Sequence, residues 1–346
     1  MIPLPAGADT EKKTSLIRQE DLNKIKAFNR DCQNWKKRQQ AASRPRENAM
    51  FSRLLSTYHA ADGLSVENAR KHYRIIAVLS LSATLLTMAF LLYDEMSLYG
   101  LILVCGFLLL SLFFINRVAE HWHYHRKYLE YRLLAEGIRV QYYLMKAGIR
   151  KDAAALLPWS WQFNVPWTKT ALILLADQEK DSDLSPLSQE PILDLWIRDQ
   201  KEYHKNALKK NILRRKTNDR IMTAALFLSI LAYLSALAFE IGPGGLFSGE
   251  PALDPGSLET VRTILKIVLG TLSAATLFAG NFYGKLSLED TEQGHRRMIA
   301  LFEQAEADII EHGETEDRLL YLAREELSEN SSWYACQNKN TPEISI

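Results

Sequence analysis

Cysteine is scarce in this chain, and its charges nearly cancel. Cys32, Cys105 and Cys336 lie far apart, so no disulfide framework or metal-ligand spacing can be built from them. The 42 lysines and arginines stand against 41 aspartates and glutamates, and overall charge therefore selects no partner. The N-terminal segment MIPLPAGADTEKKTS has no apolar core after its charges. No cleavable signal peptide is expected there, and the first apolar segment would itself direct insertion. Catalytic signatures are missing too: there is no Gly-rich phosphate loop, no His-Glu-x-x-His and no Gly-x-Ser-x-Gly. These absences point away from an enzyme and from any cofactor or bound metal.

The chain does have long stretches without charge. Ile75 to Ile115 reads as two apolar arms, 75–93 and 97–115, parted by Asp94-Glu95-Met96. Each arm runs about 19 residues, close to the ~20 that a helix needs to cross the hydrocarbon core. So short a break forces an antiparallel hairpin, because a lone segment in lipid satisfies its backbone only as a helix. A buried hairpin of a large soluble protein is the competing reading, and two uninterrupted spans side by side weigh against it. A weaker copy covers 221–239 and 263–283, the last span being the least apolar, with Arg262 and Lys266 at its start and Asn281 at its end. The expected fold is all-α: a polytopic membrane protein with four transmembrane helices in two repeated hairpins, extended by long cytoplasmic helices. A mean hydropathy of -0.16 requires much of the chain to lie outside lipid, roughly 80 residues within it and upward of about 200 beyond.

Five regions follow. Residues 1–48 are expected to form a mobile tail to about residue 18 and then an amphipathic helix carrying Leu22, Ile25, Phe28 and Trp35, broken at Arg44-Pro45-Arg46. Residues 49–148 form the first hairpin unit: a helix over Ala49–Tyr58, a turn at Asp62-Gly63, and a helix capped by Ser65 that enters the first span. After the second span one unbroken helix is expected from Arg117 to Gly148, burying Leu133, Leu134, Ile138, Val140 and Leu144. Its Arg132–Glu136 and Glu136–Arg139 spacings would each support the helix by a few tenths of a kcal/mol. Residues 149–190 read as an irregular linker rich in tryptophan (Trp159, Trp161, Trp167), either a packed cap or a ligand pocket. Residues 191–312 form the second hairpin unit, beginning with a long helix near Pro191, and 313–346 a last helix and tail. The two halves share one layout of polar helix, span, loop, span and polar helix.

Lysine and arginine crowd the segment before the first span and residues 117–220, while the loops at 94–96 and 240–259 have none. The positive-inside rule then places both termini and the middle segment in the cytoplasm. The outer loop carries Glu240, Glu250, Asp254 and Glu259, which would favour cations at a mouth. His121 and His125 share a helical face at a metal-compatible spacing. Without a third ligand they read instead as part of an interfacial belt with Trp122 and Tyr124. Lys209, Lys210, Arg214, Arg215 and Lys216 precede the third span and suit either anionic lipid or an anionic signal. Ala225, Ser229, Ala232 and Ala236 form a small-residue stripe on the third span; Gly270 and Ala274, extended by Ser273 and Gly280, form another on the fourth. Such stripes either allow close helix packing or line a narrow pore. No charge lies in the middle of a span, so a proton relay is unsupported.

The segment HRKYLEYRLLAEGIRVQYYLMKAGI, with Tyr131-Arg132, Ala135-Glu136 and Arg139, resembles the membrane-proximal helix of SLATT-type bacterial transmembrane effectors. YHAADGLSVENARKHYR before the first span, Trp196-Ile197-Arg198-Asp199-Gln200 with Tyr203, and EELSENSSWY near the end agree with it, so the likeness covers roughly residues 55–335. The resemblance implies an oligomeric pore-forming or membrane-disrupting effector of anti-phage defence, and the expected assembly is a homo-oligomer, with a tetramer favoured. It also implies a nucleotide or oligonucleotide signal, or a nucleotidyltransferase-type partner, as the controller. Many members carry a fused sensor domain ahead of the spans, and this chain has only a short helical segment there. The membrane effectors of Hailong-type systems are the narrower likeness.

Overall fold

A computed structural model describes residues 1–4, 18–40, 52–96, 98–179, 192–243, 253–284, 288–313 and 315–339. Every regular element among them is helical. In chain order these are α1 (Gln19–Gln40), α2 (Ser52–Glu95), α3 (Leu101–Trp122), α4 (Tyr124–Lys146), a 3-10 turn (Ala153–Ala155), α5 (Trp159–Asn164) and α6 (Pro166–Gln178). A π-helical turn (Leu193–Arg198), α7 (Asp199–Ile241), α8 (Pro255–Gly284), α9 (Leu288–His312) and α10 (Glu316–Lys339) follow. They divide into two compact units. One comprises residues of Met1–Arg70, Tyr124–Asn211 and Leu288–Thr341, and the other residues of Lys71–His123 and Ile212–Ser287. Helices α2 and α7 contribute to both, each as a single unbroken helix.

The first unit is built around α4, which is buried on nearly every side from Leu129 to Met145. Leu133, Leu134, Ile138, Val140 and Leu144 are each fully inaccessible. Helices α10 and α6 pack directly on α4, α1 lies on α6, and α9 lies on α10 and on the π-helical turn. Phe28 of α1 and Trp161 of α5 are also fully buried; truncating a core aromatic of this size to alanine typically costs about 3–5 kcal/mol.

The second unit holds the apolar helices. Four helices in the chain, spanning Arg53–Glu95, Leu101–Lys146 (crossing the α3–α4 break), Leu193–Ile241 and Pro255–Gly280, are long and apolar enough to cross a membrane. Their apolar windows are 11% buried in the first, 6% in the second and not at all in the third and fourth. Few residues of these windows are fully buried; the others are half-buried or exposed.

Several local expectations are corrected. Helix α2 passes through Asp62-Gly63 and Ser65 without a turn, so neither a break nor a cap exists there. Gly63 is a packing residue: a Cβ on it would lie 2.4 Å from the indole of Trp35. Ser65 donates its hydroxyl to the Tyr128 carbonyl at 3.1 Å. The helix after the second span is interrupted at His123, whose φ of +50° is left-handed although its N–H still reaches the Ala119 carbonyl at 3.2 Å. Histidine is one of the side chains enriched in that region, so the break carries little backbone strain. The tryptophan-rich stretch is largely helical, with Pro166 opening α6 at a position where its missing N–H costs nothing. The N-terminus is not a loose tail at its start. Ile2 is buried in the core, and Asn29 clasps its backbone in both directions at 2.9 and 2.8 Å. The rest of the expected tail to residue 17, the break at Arg44-Pro45-Arg46, the polar stretch with Pro186, Pro191, Glu250 and the tail at Pro342 lie outside the described residues.

Replacing Gly63 by valine should destabilise the purified protein by about 1–3 kcal/mol through overpacking against the rigid Trp35 ring. Gly106→Ala, where an added Cβ meets nothing within 4 Å, should leave stability unchanged or raise it. Thermal unfolding of both variants checks the contrast.

Candidate functional site

Helix α4 carries Arg132, Glu136 and Arg139 at spacings of four and three residues, which align them along one side. Arg132 donates to Glu136 at 2.5 Å, to Asp62 of α2 at 2.7 Å and to the Tyr203 hydroxyl at 3.2 Å. Arg139 pairs with the same Glu136 and donates to Glu326 of α10 at 2.5 Å. Glu326 also accepts from the Trp196 indole N–H at 3.0 Å. Trp196 sits in the π-helical turn, stacked on Tyr143 with ring centroids 5.2 Å apart. Turns of this kind carry an extra residue per turn and often mark functional positions.

These are not surface pairs. The side chains of Glu136, Glu326 and Arg139 are 2%, 0% and 9% exposed. Burial works against the Arg139 charge, and the attraction of Glu136 and Glu326 outweighs it, holding the guanidinium pKa well above its usual value. Breaking one partner of such a buried set typically costs about 3–5 kcal/mol, far more than the few tenths expected of exposed helix pairs. A further buried carboxylate, Glu130, is held by Arg126 at 2.5 Å and by the Trp167 indole at 2.9 Å. Asp31 accepts from Lys127 at 2.8 Å and from the Tyr131 hydroxyl at 2.7 Å. Helix α4 is thereby laced to α1, α2, α6 and α10.

Above the first network lies a cavity of about 470 Å³, lined by residues of α2, α4, α7, α9 and α10. Arg132, Glu136, Arg139 and Glu326 form part of its wall, together with His204, His295 and Trp333. On the same wall Arg297 donates to Glu329 at 3.2 Å. The volume falls within the range of small-molecule sites. A smaller cavity of about 210 Å³ lies between α9 and α10 and is lined mainly by apolar side chains such as Leu301, Ile309 and Tyr321.

In the apolar unit the stripe Ala225, Ser229, Ala232 and Ala236 is half-buried while most of its neighbours on α7 are exposed. Ser229 and Thr276 bring their hydroxyls to 3.3 Å. Gly270 admits Leu91 of α2, 2.7 Å from where its Cβ would be, and Gly280 faces Met222. Ala274 is half-buried like Gly270, but Ser273 is exposed and leaves that face. Arg262 makes a two-pronged contact with Glu240 at 2.7 and 2.5 Å, and Lys266 meets Glu95 at 3.1 Å. The cations at the start of the fourth span are thus neutralised across helices, and Glu240 is not a free acid at a mouth. Asp254 is likewise engaged, accepting the Ser257 backbone N–H at 3.0 Å.

Lys209, Lys210, Arg214 and Lys216 project from α7 into the open and Arg215 is half-buried; none lines the larger cavity. The break at His123 separates His121 from His125, so the spacing of an uninterrupted helix no longer applies. Among the described residues no group of three or more side chains could hold a metal ion. No family model, characterised protein or solved structure matches the chain. Its site has to be read from its own residues.

Two features escaped the sequence reading, the burial of Glu326 and the meeting of two histidines. Glu326 follows Leu319, Leu322 and Ala323 at helical spacing and precedes Leu327, which marks a carboxylate on an apolar stripe. The meeting of His204 with His295, which are 91 residues apart, left no local trace.

Trp196→Phe keeps the stack on Tyr143 but removes the indole donor from a fully buried carboxylate. It should cost about 1–3 kcal/mol, whereas Tyr203→Phe, at an exposed and longer contact, should cost about 0.5 kcal/mol or less. Chemical denaturation of both variants measures the difference.

Proposed function

We propose that the chain is an oligomeric, ion-conducting membrane effector of the bacterial inner membrane. It acts by depolarisation and growth arrest in anti-phage defence, under the control of a nucleotide or oligonucleotide signal. The observation that carries this reading is a set of four long apolar helices with few fully buried residues in their apolar windows. Lipid can cover part of their surface, and further copies of the chain can cover the rest. Small residues and hydroxyls on α7 and α8 provide faces that pack closely or meet water. The likeness of Tyr131-Arg132, Ala135-Glu136 and Arg139 to SLATT-type effectors supports the same reading. Arg132, Glu136 and Arg139 among them also build the buried network.

In this arrangement both termini and the polar unit face the cytoplasm, a placement that the distribution of lysine and arginine supports. Helices α2 and α7 each carry cavity residues near one end and a span near the other. Events in the polar unit therefore have two unbroken helices through which to act on the spans. The basic cluster at Lys209–Lys216 serves as a headgroup anchor or as a first contact for an anionic signal.

A second reading, a non-conducting scaffold that recruits a cytoplasmic protein, draws on a different feature. Trp159 and Phe163 stack at 5.1 Å while remaining 75% and 70% exposed, an aromatic pair typical of contact surfaces. Ion flux separates the two. Full-length protein reconstituted in liposomes, with and without a nucleotidyltransferase-type partner, should dissipate a cation gradient in one of the two conditions. Intact oligomers that pass no ions in either condition would leave the scaffold as the correct account.

A further inference from the structure

The cavity wall holds one contact that neither the charge network nor conduction uses. His204 of α7 meets His295 of α9, Nδ1 to Nδ1, at 2.9 Å. Such a contact accommodates a single proton, because one nitrogen donates while the other must present its lone pair. Two imidazolium rings would turn two N–H bonds toward each other and could not keep it. The His204 ring is held between neighbours, stacked on Phe302 at 5.9 Å, and its Nε2 is buried without a hydrogen-bond partner.

The surroundings also resist protonation. From α4, Arg132 and Arg139 face the pair with positive charge. From α10, Glu326 and Glu329 line the same cavity, but they are already engaged by Arg139 and Arg297. On α9 itself Asp290 accepts from the Cys336 thiol. The α2 lining, Ser65, Val66 and Ala69, carries no charge. Burial, His295 and the two arginines push the His204 pKa down to about 3, and burial and Arg132 lower that of His295.

We propose that the His204–His295 contact is a proton-sensitive latch between α7 and α9, closed while at least one ring is neutral and forced open by the second proton. Once parted, the rings regain an ordinary pKa near ~6.5. The open form then binds more protons than the closed one, so the closed form is fully favoured above about pH 6.5 and loses ground as pH falls. Each proton bound by the open form alone shifts the balance up to about tenfold per pH unit. The latch rests on this contact and not on conduction, so it stands or falls separately from the proposed effector activity. Within that activity, an acidified cytoplasm would loosen the cavity.

Hydrogen exchange of the full-length protein in lipid nanodiscs tests it, reading peptides from the first turns of α7 and α9. Rates at about pH 7.5 and about pH 5.5, corrected for intrinsic exchange, should show protection falling at least about tenfold at the lower pH. In His295→Gln, whose amide can still donate to His204 but cannot titrate, the fall should be at most about half as steep on a logarithmic scale. His312→Gln, at the exposed end of α9, should behave as wild type. Equal protection of the wild type at both pH values would overturn the latch, and so would a His295→Gln variant that falls as steeply as the wild type.

Discussion

One guanidinium shared by two carboxylates underlies the polar unit. Arg139 lies between Glu136 on its own helix and Glu326 on α10, with almost no access to solvent. A buried charge is costly unless paired and hydrogen-bonded, so this arrangement permits few alternatives. Helix α10 must present Glu326 at that point, and the π-helical turn must bring the Trp196 indole to its second oxygen. In the observed register of α4 and α10, Arg139 meets Glu326. Such a contact adds specificity more than net stability, because well-packed apolar residues of similar volume could replace the set at little loss.

The apolar unit follows a different rule. Its helices meet through small residues and hydroxyls, with Leu91 against Gly270 and Ser229 against Thr276, and few residues of their apolar windows are fully buried. In lipid the hydrophobic effect does not drive helices together, so close approach and a few polar contacts must do so. The pairs Arg262–Glu240 and Lys266–Glu95 also make the fourth span less polar than its composition suggests. Two long helices, α2 and α7, belong to both regimes: polar and laced at one end, apolar and open at the other.

Much of this was legible in the order of residues. The first three spans stand out because a run without charge needs no knowledge of its partners, and the fourth has a single lysine near its start. The amphipathic α1 declared its buried face at Leu22, Ile25 and Phe28. Failures came where a residue has two physical uses. Gly63 reads as a turn, yet in α2 it makes room for Trp35. His123 reads as one more residue of a helix, yet it takes the left-handed conformation. Arg132, Glu136 and Arg139 read as exposed supports, because spacing along one helix cannot reveal Glu326 arriving from 187 residues away. The cavity and the histidine contact were invisible for the same reason.

The claim that Arg139 sets the polar unit is tested most directly by comparing Arg139→Met with Arg139→Met/Glu136→Gln/Glu326→Gln in chemical denaturation of the full-length protein. The single substitution should lose about 3–5 kcal/mol, because it leaves Glu326 buried without its cation and Glu136 with Arg132 alone, and the triple should recover more than half of that loss. A single variant that loses less than about 1 kcal/mol, or a triple no more stable than the single, would contradict the account.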